Sequence, residues 1–155
     1  VNKTQFKRLE KLVVHMESGQ LAHPTFDFNV YNRTPLYNWH NRQKMSSSLL
    51  KRQCDTNGCA IGELPQIFPN AWKWHSGAGI NNVTRKKVVD QRTDIQHMAG
   101  PFFGLSDMEY HHLFVPGRQS AGLPGCGRRL KGSARRSTVA NHLRKFLEVH
   151  RKPKW

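Results

Sequence analysis

The densest chemistry in this chain lies near its carboxyl end. Arg118, Arg128, Arg129, Lys131, Arg135 and Arg136 occupy a Gly-rich stretch, and Arg144, Lys145, Arg151 and Lys152 continue the series. Between Arg118 and Trp155 there are 11 Lys or Arg and one acid, Glu148. Arg offers phosphate oxygens a planar fork of donors, and Gly lets a backbone approach a phosphate closely. A helix N-terminus adds free N–H groups and partial positive charge. The whole chain of 155 residues carries 25 Lys plus Arg against 10 Asp plus Glu, a formal charge of +15. Self-repulsion at that charge opposes compaction, and solubility alone needs a magnitude of only about 2–8. A polyanion would relieve the repulsion. Neutralising about six phosphates gives a salt slope of about −5 and a roughly thousandfold loss of affinity between 50 and 200 mM salt. A solvated basic surface, or one that meets an acidic protein, is the plain alternative.

Two further groups of residues could do chemistry. Cys54 and Cys59, with Cys126, His75 or His97, could supply four zinc ligands. The spacing sits at the edge of the knuckle range and no second close pair exists, so two small buried thiols are the simpler expectation. Asp107 and His111 lie one helical turn apart with His112 beside them, groups that a metal-dependent nuclease could use. With nine His in the chain, such proximity arises by chance, and His112, flanked by Met108 and Leu113, is expected to be half-buried. No P-loop, nucleophile elbow or carboxylate cluster is present. The expectation is therefore a non-catalytic protein with no cofactor and no bound metal. Tyr37, Trp39 and Trp155 could stack on bases, yet aromatics in this number usually fill a core. Without zinc-finger spacing, an RNA-recognition signature or a clear helix-turn-helix, contacts are expected mainly to backbone phosphates.

The elements that must position these residues read as follows. Phe6, Leu9, Leu12, Val13 and Met16 recur at helical spacing, predicting a helix over 3–17 that is capped by Asn2 or Thr4 and ended by Gly19. Residues 20–53 are irregular, with a short strand around Phe26, Phe28, Val30 and Tyr31 and an apolar patch at Leu36, Tyr37 and Trp39. A short helix opens after Cys54-Asp55-Thr56-Asn57, and Trp72 and Trp74 pack beneath a loop. Residues 80–95 are polar. Ser106 and Glu109 form a capping box that opens a helix ending before Pro116. Residues 116–133, rich in Gly and with two Pro and four Lys or Arg, cannot bury a core and read as a flexible loop. A last helix runs from Ser137 or Thr138 to His150, its apolar stripe made of Val139, Leu143, Phe146, Leu147 and His150.

Three blocks in order, the opening amphipathic helix with Phe26-Asp27-Phe28, then Cys54-x-Thr56-x-x-Cys59-x-x-Gly62, then Phe102-Phe103-Gly104-Leu105-Ser106-Asp107 with His112-Leu113-Phe114, resemble a group of small proteins from bacteria and their phages. The basic Gly-rich loop lies outside that pattern. The resemblance implies a helical fold and a prokaryotic or phage origin, and it implies no activity.

The expected architecture is mainly α: one small bundle of short helices with long irregular loops and at most one short strand pair. Within this one domain, residues 1–115 form a helical core, 116–136 a basic Gly-rich loop and 137–155 a basic helix and tail. The expected function is nucleic-acid binding, to DNA or RNA, through the phosphate backbone, as a subunit of a nucleoprotein assembly. A module that docks on an acidic host or defence protein is the second reading, and a metal-dependent nuclease the third. The opening Val1-Asn2-Lys3-Thr4-Gln5 has no signal-peptide core, no apolar run approaches the roughly 18 residues of a membrane span, and three unevenly spaced cysteines suggest no disulfide framework. These point to the cytoplasm of a prokaryotic or phage-infected cell.

Overall fold

The structure is a computed structural model, and it describes residues 2–22, 25–26, 28, 57–58, 60–74, 83–86, 95–116, 123–131 and 133–150. It is mainly helical. Helix α1 spans Lys3–Ser18 and buries Leu9, Leu12, Val13 and Met16. Asn2 and Gln5 close a capping box at its start, each side chain accepting from the other's backbone N–H, and Gly19 ends it in the left-handed region. Of the two caps the sequence allowed, Asn2 is the one used, because its N3 residue Gln5 can reciprocate.

Two short ladders follow. Strand β1 (Thr25–Phe26) pairs in parallel with β2 (Asn57–Gly58). Strand β3 (Trp72–Trp74) pairs antiparallel with β4 (Val83–Arg85), Trp72 facing Arg85. The sequence reading placed a short strand around Phe26, where β1 lies, but put Trp72 beneath a loop and left Val83–Arg85 in a polar stretch. Trp72 is instead a buried strand residue. Between the ladders, a 3-10 turn (Ala60–Glu63) leads into α2 (Leu64–Ile67), which Pro65 opens.

Helix α3 spans Ile95–Phe103 and buries Met98, Ala99, Phe102 and Phe103. It ends in a paired-carbonyl motif: Gly104 N–H donates to Pro101 O (3.2 Å) and Leu105 N–H to Gly100 O (2.9 Å), with Gly104 at φ +67°. Helix α4 (Asp107–Phe114) opens on the expected Ser106–Glu109 capping box. Helix α5 (Arg136–His150) buries Val139, Ala140, Leu143, Phe146 and Leu147 and packs on α1 and α4. The core joins these helices to the β3–β4 ladder through Phe68, Trp72, Phe102 and Phe103, whose rings meet edge to face at 5.1–6.4 Å. Among the described residues no helix is long and apolar enough to cross a membrane.

The described part of the Gly-rich stretch contradicts its reading as a loop that buries nothing. Cys126 is buried, and Leu123 and Leu130 pack against the core. Residues 123–127 form a tight turn, in which Cys126 N–H donates to Leu123 O at 3.0 Å. Gly125, at φ +77°, leaves only 2.7 Å between the place of a Cβ and the Val149 side chain. The His150 ring donates to Pro124 O at 2.7 Å. Glycine here permits a close approach to α5, where composition alone suggested slack.

Gly104 is the sharpest backbone constraint. A Cβ there would lie 2.6 Å from Gln5 Oε1, inside the α1 capping box, at a backbone angle that L residues rarely adopt. Gly104→Ala is expected to destabilise the fold by about 1–3 kcal/mol, seen as a lower urea midpoint with an unchanged slope.

Candidate nucleic-acid interface

The ten basic residues singled out in the sequence fall into three groups. Arg118, Arg151 and Lys152 lie outside the described residues. Arg129, Arg136 and Arg144 are occupied within the fold. Arg129 donates through Nε (3.0 Å) and Nη2 (2.7 Å) to Val115 O, at the end of α4. Arg136 donates through Nη1 to Met16 O and to Glu17 O (3.2 Å), at the end of α1. Arg144 grips the Glu17 carboxylate with two bonds, of 2.9 and 2.6 Å. That paired contact holds the Glu17 carboxyl below its ordinary range, through the hydrogen bond first and the charge second, and raises the Arg144 guanidinium.

Arg128, Lys131, Arg135 and Lys145 form the third group. All four are exposed, and none has an ion pair among the described residues. Three fall within eight residues of chain, Arg135 immediately before α5. Lys145 lies on α5, close enough to Cys126 for its charge to favour the thiolate, although burial dominates and pushes that thiol up. The turn at 123–131 and Lys145 are therefore neighbours. The fold leaves four cations exposed along the loop and α5, from Arg135 before its first turn to Lys145 in its second half, and spends three others on carbonyls and a carboxylate.

The alternative sites fare differently. Cys54, Cys59, His75, Tyr37, Trp39 and Trp155 lie outside the described residues, and His97 is exposed. Among the described residues no group of three His, Cys, Asp or Glu is placed to hold a metal. Asp107 is exposed in the first turn of α4, while the His111 ring turns to Gln96 Oε1 at 2.8 Å. His112, expected to be half-buried, is 2% exposed. Compared with known protein families, with curated proteins and with solved structures, the chain shows no match.

Two pairs escaped sequence reasoning. The Glu63 carboxylate is fully buried and accepts from Ala22 N–H (2.7 Å) and bonds the His15 ring (2.9 Å), tying the segment after α1 to the 3-10 turn. A Glu beside Leu64 and Pro65 gives no signal of this, since its partners are over 40 positions away. The second pair is His112 and His142, buried on α4 and α5, with ring centroids 4.7 Å apart and tilted by 36°. Neither His112 ring nitrogen has a hydrogen-bond partner among the described residues. Met108 and Val115 flank His112, and Val139 and Phe146 flank His142, at helical spacing, which is the local hint of burial.

This buried pair makes stability depend on acidity. Desolvation, with the nearby charges of His142, Arg129 and His150, lowers His112 to about 4. Burial also lowers His142, which a bond to the His112 backbone partly offsets. The unfolded chain protonates His112 near the ordinary pKa of about 6.5, whereas the folded chain does so only towards about 4, and His142 shifts in the same direction. The stabilisation is thus intact above about 6.5 and is lost as pH falls through that window, by up to about 1.4 kcal/mol per pH unit for each group. Denaturant midpoints should fall between pH 6.5 and 4, and a His112→Leu/His142→Leu double variant should show a shallower fall.

Proposed function

We propose that this protein binds nucleic acid without altering it chemically, gripping the phosphate backbone with Arg128, Lys131, Arg135 and Lys145. Arg118, Arg151 and Lys152, adjacent in sequence, would extend the same contact. The carrying observation is that these four cations are exposed and unpaired while their neighbours Arg129, Arg136 and Arg144 are consumed by the fold. A loop and helix that needed cations only for internal bonding would not retain four more exposed beside them. Arg128 and Arg135 offer phosphate a fork of donors, and Lys131 and Lys145 act as point charges. Such contacts position the protein without reading bases. The proposal places the protein in a nucleoprotein assembly in the cytoplasm of a prokaryotic or phage-infected cell.

A filter-binding salt titration on duplex DNA and on RNA tests this. Four phosphate contacts give a slope of about −3.5 on a duplex, and roughly a hundredfold loss of affinity between 50 and 200 mM salt. Replacing Arg128, Lys131, Arg135 and Lys145 by Gln should remove most of that slope whatever the base sequence. Binding that ignores salt, or whose salt slope and affinity are unchanged in the fourfold variant, would refute the reading. Arg136→Gln should instead show itself mainly as lost stability, since its guanidinium bonds the end of α1.

A further inference from the structure

The amino-terminal half of α1 carries charge in a pattern that opposes its own helix. Lys3, Lys7 and Lys11 are all exposed and recur one turn apart. Like charges at that spacing repel. Lys3 stands at the first helical position, and no acid occupies the first turn, so cations crowd the end where the helix dipole favours anions. Glu10 is the one carboxylate of this half, and its charge acts on Arg144 of α5.

The same edge gathers two guanidinium groups on one ring. Arg8 lies over Phe102, its carbon 4.3 Å from the ring centroid, and Arg85 reaches the same ring from β4 at 5.3 Å. The two are thus within about one Debye length (~10 Å) of each other. Lys11 lies over the neighbouring Phe68 ring at 5.3 Å. Neither Arg8, Lys11 nor Arg85 has an ion pair among the described residues, and Arg85 Nε is buried without a hydrogen-bond partner there. The ring faces attract these cations weakly, and Arg8 is occupied within the fold by its bond to Phe102 O at 3.1 Å, while no described acid pairs with Lys11 or Arg85.

We propose that the row Lys3–Lys7–Lys11, with Arg85, is a second contact surface for the phosphate backbone of the nucleic acid. This rests on the nucleic-acid reading above and extends it from one patch to two, carried by separate elements. A row of cations one helical turn apart suits a repeating line of phosphates better than a single small anion. Bound phosphate also removes the repulsion along α1, so binding should firm up the amino-terminal turn.

The test substitutes Lys3, Lys7 and Lys11 together by Gln, a residue of similar helix propensity, and repeats the salt titration on DNA duplex and RNA probes. The salt slope is expected to fall by about 2–3, near 0.9 for each lost contact, while the melting temperature of the free protein stays level or rises. Lys7→Gln alone should lower the slope by about 0.9 and keeps the test open should the triple variant fold poorly. An unchanged slope and affinity in these variants, alongside a loss in the Arg128/Lys131/Arg135/Lys145 variant, would overturn the second surface and leave the first standing. Absence of salt-dependent binding by the unsubstituted protein would instead remove the nucleic-acid reading, and this surface with it.

Discussion

Helix ends govern this structure. A helix leaves its last carbonyls without donors, and here arginines from distant parts of the chain supply them. Arg8 donates to Phe102 O at the end of α3 (3.1 Å), Arg129 to Val115 O at the end of α4, and Arg136 to Met16 O and Glu17 O at the end of α1. Each cation also meets the negative end of a helix dipole. Because every such bond joins two elements, the same contacts that finish the helices set how they lie against one another. The apolar seam between α1 and α5 supplies the burial, and the arginines supply the register.

This use of arginine changes how the charge of the chain is understood. A formal +15 suggests a large external field, but part of it is turned inward. The residues that remain free are fewer and more localised than the sequence implies. Arg128, Lys131, Arg135 and Lys145 are spread along the loop and α5, and Lys3, Lys7 and Lys11 line α1. Neither group is balanced by a described ion pair, since the carboxylates seen pairing, Glu17 and Glu63, serve Arg144 and His15.

What could be read from the sequence was local. The apolar periodicity of Leu9, Leu12, Val13 and Met16, the stripe Val139, Leu143, Phe146 and Leu147, and the Ser106–Glu109 box all rest on neighbours within a turn or two, and the helices appear where expected. What could not be read was long-range. Arg136 and Arg144 looked like ligands for phosphate because their partners, Met16 and Glu17, are about 120 positions away. The turn at Leu123–Gly127 looked slack because composition cannot show that Val149 and His150 close over it. Two- and three-residue strands are too short to show a period, and the His112–His142 stack exists only once α4 meets α5.

The bond between Arg136 and the end of α1 has a consequence for how the chain is made. A ribosome delivers α1 before α5, so the guanidinium that finishes α1 and the apolar stripe that covers it arrive about 120 positions later. Pairings so remote in sequence are slow to close. Until they do, Leu9, Leu12, Val13 and Met16 have no α5 to face. Helix α1 is therefore secured only once α5 has emerged, and any premature stop before or within α5 would leave its apolar face uncovered, a natural target for chaperones and proteases.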